Sequence, residues 1–220
     1  MEKMRSRSDA EAAVAMSTGT LDTRLVTTDW RKGLPIIAGS LVTIRALHTS
    51  DAHSLLTMLT AEEVTRFISA PPGSVEAFER FIVSANCERV AGSCVSFAVV
   101  PRGMDAAIGL FQVRRREAGF DTAEWGFAFG SAFWGTGMFT EAARLVLEFS
   151  FGVVGVRRME ARATVQNGRG NGALRKLGAT QEGVLRRAFH RGGQYYDQAL
   201  WTIVSDEWTA AAGPVSSRIH

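Results

Sequence analysis

Two glycines separated by one residue, Gly135 and Gly137, lie where the sequence passes from an apolar run to a helical one. The run at 125–129 is typical of a strand, and the run at 140–151 is typical of a helix. The N–H groups of a helix's first turn have no partner inside the helix, and the helix dipole adds partial positive charge there. Because glycine lets the backbone approach an anion closely, this spacing indicates a phosphate-binding turn. A plain strand-to-helix turn is the alternative interpretation.

Three kinds of phosphate-binding loop can be compared with this turn. A P-loop ends in Gly-Lys-Ser or Gly-Lys-Thr, and neither tripeptide occurs in the chain. A dinucleotide-binding loop needs a third glycine, where this chain has Thr140, and an acidic residue about 20 positions further on. Only Glu160 is available for that acidic role, so this match is poor. The third kind binds the diphosphate of coenzyme A, and the surrounding sequence decides whether it applies.

Three blocks of sequence support the third kind. The first contains Ala-Glu-Trp-Gly-Phe at 123–127 and Trp-Gly-x-Gly-x-x-Thr-Glu-Ala at 134–142. The second lies within 158–186 and includes Arg-Met-Glu-Ala, an isolated Asn and Leu-Gly-Ala, and the third lies within 193–208. In this order and spacing the blocks resemble the GNAT superfamily of N-acetyltransferases. The resemblance is closest to the Rim-type branch, which acetylates the N-termini of ribosomal proteins.

The resemblance implies a fold and an activity. The expected fold is α/β, with a central mixed and mostly antiparallel sheet of about seven strands flanked by about four helices. Its fourth and fifth strands are expected to splay apart and admit the pantetheine arm of acetyl coenzyme A (acetyl-CoA). The expected activity is acetyl transfer from acetyl-CoA to a primary amine, either the N-terminus of a protein or a small molecule such as an antibiotic, a polyamine or an amino acid derivative.

The same resemblance places the acetyl-CoA contacts on the strand before the turn, on the turn, on the start of the helix and on the end of the next strand. The residues at these positions are Phe127, Phe129, Trp134, Gly135, Thr136, Gly137, Met138, Phe139, Thr140, Asn167 and Gly170. Taken alone, an Asn before a Gly such as Asn167 is also a common turn former.

Glu124 is the candidate catalytic base. An amine is almost fully protonated at neutral pH and must lose a proton before it can attack a thioester. Glu124 matches a strand position at which family members keep a catalytic glutamate, and its apolar sequence neighbours predict apolar surroundings for the carboxylate. A backbone N–H near Phe129 would polarise the acetyl carbonyl, again by resemblance. The alternative is an exposed strand-end charge or a structural hydrogen-bond acceptor.

Three residues depart from the family pattern. Ala132 stands where many relatives carry Arg or Gln, and Gly170 stands where many carry Ser. Ala179 replaces the aromatic residue that usually follows Leu-Gly. The first two changes leave open a second class of function, an acyl-CoA-binding module without catalysis.

Periodicity predicts the elements that must position these residues. Strands are expected at 41–47, 94–100, 107–114, 124–129, 158–165, 181–188 and 195–204, with helices after residue 51, from residue 75, at 140–151 and at 171–177. We expect a flexible tail and arm at 1–40, an acetyltransferase domain at 41–208 and a mobile tail at 209–220.

Composition limits the remaining function classes. Hydrophobic residues make up 46% of the chain and charged residues 21%, as in an ordinary globular protein. No apolar run approaches the roughly 20 residues of a membrane span, and no signal sequence is evident, so a cytoplasmic protein is expected. Two scattered cysteines and four histidines predict free thiols and no metal site. A net charge of +3 is too small to indicate nucleic acid, despite arginines at 114–116 and 186–187. A monomer or homodimer is expected.

Overall fold

The computed structural model describes residues 29–211 and 218–219. Residues 1–28 of the flexible tail and arm predicted at 1–40 lie outside this range, as do residues 212–217 and 220 of the predicted mobile tail. The described strands form one sheet in the order β7-β8-β6-β5-β4-β3-β2-β1-β9. Their bounds are β1 Ile37–Ala38, β2 Val42–Ala46, β3 Cys94–Pro101, β4 Gly109–Arg115, β5 Thr122–Phe129, β6 Arg158–Thr164, β7 Thr180–Arg191, β8 Gln194–Val204 and β9 Arg218–Ile219.

The predicted mixed, mostly antiparallel α/β fold is confirmed. Among the described strands only β5 and β6 pair in parallel, and the seven long ones, β2 to β8, match the expected number. The two-residue strands β1 and β9 extend one edge and were not predicted. Two residues are too few to show a hydrophobic period.

Six α-helices occur in the described chain, where about four were expected. They are α1 Ala52–Leu59, α2 Glu62–Thr65, α3 Val75–Val90, α4 Met138–Phe149, α5 Gly168–Lys176 and α6 Ser205–Ala211. The two additional helices, α2 and α6, are short. The predicted boundary at residue 208 falls within α6.

Two hydrophobic clusters cover the two faces of the sheet. One lies under α4 and α5 and reaches from β2 across to β8, while the other lies under α1 and α3 and covers β3, β4 and the end of β5. Because β3 is covered on both faces, every one of its residues from Cys94 to Pro101 is buried. Phe97 packs edge-on against Phe149 of α4, with ring centroids 5.2 Å apart.

The expected splaying of the fourth and fifth predicted strands, which are β5 and β6, is confirmed. Their pairing covers only Thr122–Glu124 of β5 and Arg158–Glu160 of β6. Beyond these residues β5 keeps its pairing with β4, and β6 keeps its pairing with β8. The gap therefore opens between the second half of β5 and the second half of β6, toward the turn that precedes α4.

The segment before β1 packs on the sheet. Trp30 is 6% exposed and meets Phe120 edge-on at 5.5 Å, and the guanidinium of Arg89 donates to the carbonyls of Trp30 and Arg31. These contacts join the described part of the N-terminal segment to the domain.

Candidate active site

The two glycines of the turn adopt a backbone conformation that favours glycine. Gly135 has φ +80° and Gly137 has φ +86°, both in the left-handed region that favours glycine. A Cβ atom at Gly135 would meet no heavy atom within 4 Å, so glycine is favoured there by its backbone conformation and not by a lack of space. Helix α4 begins at Met138, two residues earlier than predicted, directly after the second glycine.

The turn presents unpaired backbone donors. Within the described chain, the N–H groups of Gly135, Thr136, Gly137, Phe139 and Thr140 have no hydrogen-bond acceptor. The Thr136 hydroxyl donates to the carbonyl oxygen of Phe133 at 2.7 Å and so braces the turn. A row of free N–H groups at a helix N-terminus fits a diphosphate.

A carboxylate that sequence reasoning did not single out holds the start of α4 in place. Glu141 accepts hydrogen bonds from the backbone N–H groups of Ser40, Leu41 and Val42 at 2.8, 2.7 and 2.9 Å, and from the Ser40 hydroxyl. A Cβ atom at Gly39 would lie 2.6 Å from the Glu141 carboxylate, so only glycine allows this approach. Partial burial acts to raise the pKa of Glu141, but the hydrogen bonds outweigh it and hold the pKa below the ordinary value.

Aromatic packing joins the first turn of α4 to β5. The ring of Phe139 lies 4.8 Å from that of Phe127, 5.8 Å from that of Phe129 and 5.6 Å from that of Phe111. These side chains fill the cluster under α4. The Phe129 side chain is buried, whereas those of Phe127 and Phe139 remain partly exposed.

Two backbone N–H groups of β5 point into the gap. Gly130 N–H donates to the carbonyl oxygen of Ile108 at 2.8 Å, which makes Gly109 and Phe129 a pair without mutual hydrogen bonds. The N–H groups of Phe129 and, two residues earlier, Phe127 consequently point away from β4 and toward the gap. The Phe129 carbonyl oxygen accepts a hydrogen bond from Trp134 Nε1 at 3.0 Å.

Glu124 lies at the closed end of the gap, in charged surroundings and not in the apolar ones that its neighbours suggested. Its Oε2 atom lies 2.9 Å from Nη1 of Arg162 and 3.3 Å from Nη1 of Arg116. Successive strand residues point to opposite faces, so the aromatic neighbours Trp125 and Phe127 lie in the α4 cluster on the other side. Within the described chain, Glu124 Oε1 has no hydrogen-bond partner.

At the end of β6, Asn167 begins α5 as its N-cap. Its Oδ1 accepts a hydrogen bond from Gly170 N–H at 2.9 Å. A Cβ atom at Gly170 would lie 2.6 Å from Asn167 Nδ2, so a serine there would require the Asn167 side chain to move. This contact gives a steric reason for the glycine that departs from the family pattern.

Asn171 is a structural residue that the sequence analysis missed. Its Nδ2 donates to the carbonyl oxygens of Thr164 and Asn167 at 2.9 and 2.8 Å, and its Oδ1 accepts from Trp201 Nε1 at 2.8 Å. The Asn-Gly-Arg-Gly-Asn sequence contained both amides, but only tertiary structure shows that the second one ties α5 to β6 and β8.

The predicted donor-binding residues thus form two groups on either side of the gap. The turn and the start of α4 follow β5, while Asn167 and Gly170 follow β6. Arg169, which lies between Asn167 and Gly170 in the sequence but was not predicted, contacts the first group: its guanidinium carbon lies 4.3 Å from the centroid of the Trp134 ring.

The described residues include no group of three His, Cys, Asp or Glu side chains placed to hold a metal ion. They also include no helix long and apolar enough to cross a membrane. Cys87 is exposed and Cys94 is buried, and both are free thiols. Burial raises the pKa of the Cys94 thiol.

Comparison with known proteins identifies related chains. The sequence model of a family described as acetyltransferase (GNAT) domain matches residues 42–180. The protein p20 of Bacillus licheniformis, named an uncharacterized N-acetyltransferase, is 25% identical over 170 residues, which span 76% of this chain and 94% of p20. YdaF of Bacillus subtilis, which carries the name of a ribosomal N-acetyltransferase, is 24% identical over 178 residues, covering 76% of this chain and 93% of YdaF.

A solved structure has the same fold. RimJ of Mycobacterium smegmatis, determined in complex with CoA-disulfide, superposes with a TM-score of 0.69 at 20% sequence identity. The superposition covers 80% of this chain and 88% of the RimJ chain.

Proposed function

The chain belongs to the GNAT acetyltransferase family and is an acetyl-CoA-dependent N-acetyltransferase, and from that premise we propose that its acceptor is the α-amine at the N-terminus of a protein. The observation that carries the proposal is the charged, uncovered sheet face beside Glu124. The cluster under α1 and α3 reaches β5 only at Ala128, and no described residue of β6 or β8 belongs to it.

Polar side chains line this face. Arg158, Glu160 and Arg162 of β6 are partly exposed there, next to Glu124 of β5. Since no helix of the described chain packs over them, an extended chain terminus can approach Glu124 from this face. A peptide also offers backbone polar groups to such side chains, whereas an aliphatic polyamine offers only cations and methylene groups.

The family names agree with this proposal. YdaF carries the name of a ribosomal N-acetyltransferase, and RimJ supplies a fold-level likeness with a coenzyme A derivative bound. We carry both features over to this chain as part of the proposal.

The residues around the gap then have distinct roles. The free N–H groups of Gly135, Thr136 and Gly137 bind the donor's diphosphate, and the N–H groups of Phe127 and Phe129 bind the arm and the acetyl carbonyl. When bound, acetyl-CoA supplies the thioester, whose C–S bond breaks as the amine nitrogen forms a C–N bond with the acetyl carbon. The departing thiolate takes up a proton from water.

Glu124 prepares the acceptor for this step. Its unpaired Oε1 accepts a hydrogen bond from the incoming ammonium group and takes up the proton that the nitrogen must lose, directly or through a water molecule. Arg116 and Arg162 hold the other carboxylate oxygen and so fix the direction of the free one. Glu124 is thus a catalytic residue in this proposal.

A competition between acceptor classes tests the proposal. The protein is incubated with acetyl-CoA and an equimolar mixture of unblocked N-terminal peptides of ribosomal proteins, polyamines and single amino acids, and the products are identified by mass spectrometry. We expect acetylated peptides to dominate. Products only among the small amines would refute the proposed acceptor, and coenzyme A binding without any product would refute catalysis.

A further inference from the structure

Arg169 occupies an unusual place in the donor site. It is the second residue of α5, on the β6 side of the gap, while the ring that it covers, Trp134, follows β5 on the other side. The backbone pairing of the two strands has already ended at Glu124 and Glu160. The 4.3 Å contact between guanidinium and ring therefore links the two walls of the gap at its open end.

The guanidinium is available for an anion. Arg169 is exposed, and it makes no ion pair with any carboxylate of the described chain. Its stacked partner Trp134 is fixed by its own hydrogen bond to the Phe129 carbonyl oxygen and is followed directly by the free N–H groups of the turn. The ring thus places a planar, five-donor cation beside the row of amides.

The turn itself lacks a cation. No Lys or Arg occurs between residues 131 and 143, and Ala132 is exposed at the position where many GNAT proteins carry Arg or Gln. A diphosphate carries at least two negative charges, which N–H groups alone neutralise incompletely.

We propose that Arg169 supplies the cationic contact to the donor's diphosphate that residue 132 does not supply in this chain, with Trp134 as its platform. The proposal rests on the proposed use of the turn as the diphosphate site. It assigns Arg169 to donor binding, and it assigns no part in proton transfer to this residue.

Calorimetric titration of the full chain with coenzyme A tests the inference. Arg169→Ala is expected to raise the Kd for coenzyme A about 10- to 100-fold, the usual effect of losing a charge-assisted hydrogen bond to a phosphate. The Kd for pantetheine, which keeps the arm and lacks every phosphate, is expected to stay unchanged. Arg169→Lys keeps the charge but loses the planar fork, so its effect should be intermediate.

Arg175→Ala is the matched control. Arg175 lies on the same helix, is also exposed and also covers a tryptophan ring, that of Trp201, at 5.4 Å. Its loss removes one positive charge from α5 and should leave the Kd for coenzyme A within about twofold of the wild-type value.

A rescue variant tests the link to residue 132. Adding Ala132→Arg to Arg169→Ala should restore most of the lost affinity for coenzyme A. Equal effects of Arg169→Ala and Arg175→Ala, equal weakening of coenzyme A and pantetheine, or absence of rescue would each overturn the inference. Failure of the wild-type protein to bind coenzyme A would instead refute the proposed donor site, so the two failures are distinguishable.

Discussion

Glu124 lies in charged surroundings, whereas its sequence neighbours predicted apolar ones. The aromatic residues that flank it in sequence lie on the opposite face of β5, and two guanidinium groups hold its Oε2 atom. A carboxylate held in this way is oriented, and its second oxygen has no hydrogen-bond partner among the residues that the structure describes. The sequence indicated which residue to examine, but strand alternation decided which groups surround it.

Replacing Glu124 by Gln should affect the rate and not the binding of the donor. We expect kcat to fall about 10²- to 10⁴-fold at neutral pH, the usual loss when a positioned base is removed. The Kd for coenzyme A should stay within about twofold, since the free N–H groups of the turn are untouched. Thiol release with a fixed peptide acceptor gives the rate, and calorimetry gives the Kd.

Glu79→Gln provides the control for this prediction. Glu79 is an exposed residue of α3, a helix that packs against β3, and it lies outside the strands beside Glu124. We expect this variant to keep a rate near that of the wild type. An unchanged rate in Glu124→Gln, or an equal loss in both variants, would remove Glu124 from the mechanism.

The contact between α4 and the β1–β2 turn holds the start of α4, and so the Gly-x-Gly turn before it, in position. Glu141, in the first turn of α4, receives three backbone N–H groups from residues 40–42, and Gly39 leaves room for its carboxylate. An acidic residue in the first turn of a helix is also favoured by the helix dipole. Because the partners lie about a hundred positions away in sequence, no local pattern could predict this contact.

The lowered pKa of Glu141 predicts an acid-dependent stability. A carboxyl group whose pKa is lower in the folded state stabilises the fold above its unfolded-state pKa, near 4.5, and this contribution is lost as the pH falls through the folded-state value. Glu141→Gln replaces one accepting carboxylate oxygen by an NH2 group, which cannot accept hydrogen bonds from the backbone N–H groups of residues 40–42. The substitution should lower the free energy of unfolding by about 1 to 2 kcal/mol at pH 7. The difference from the wild-type free energy of unfolding should shrink below about pH 4.5.

Urea unfolding at pH 7 and near pH 4 measures this difference. Glu79→Gln, a change of the same kind at an exposed position of α3, serves as the control and should shift the stability by less than about 0.5 kcal/mol. A Glu141→Gln cost that stays constant across this pH range would contradict the role of the charge.

The overall fold could be predicted well from the sequence where hydrophobic periods are long. Strand β5, the Gly-x-Gly turn and the amphipathic helix after it all occur where expected. The two-residue strands β1 and β9 and the four-residue helix α2 could not be predicted, because so few residues show no period.

The candidate site was only partly predictable, for a different reason. Residue types and spacing identified the turn, Asn167 and Glu124, but not the side-chain contacts that orient them. Three sets of contacts join residues from separate strands, helices or turns: the contact of Arg169 with Trp134, the hydrogen bonds of Asn171, and the ion pairs of two arginines with Glu124. Such contacts depend on tertiary packing, which a single sequence does not display.

In the described part of the chain, α4 and α5 cover one face of the sheet and α1 and α3 cover the other face over β3 and β4. No described helix covers that second face over β6 and β8. In the proposed function, acetyl-CoA enters the gap from the α4 end, and the acceptor approaches Glu124 from the face without a covering helix. This arrangement favours an acceptor that arrives as an extended chain end.

The most direct test is the position of the acetyl group in a peptide that has both a free N-terminus and an internal lysine. After incubation with the protein and acetyl-CoA, fragmentation mass spectrometry locates the modification. Acetylation of the N-terminal α-amine, lost in Glu124→Gln and kept in Glu79→Gln, is the predicted result. Acetylation of the lysine side chain, or none at all in a protein that binds coenzyme A, would contradict it.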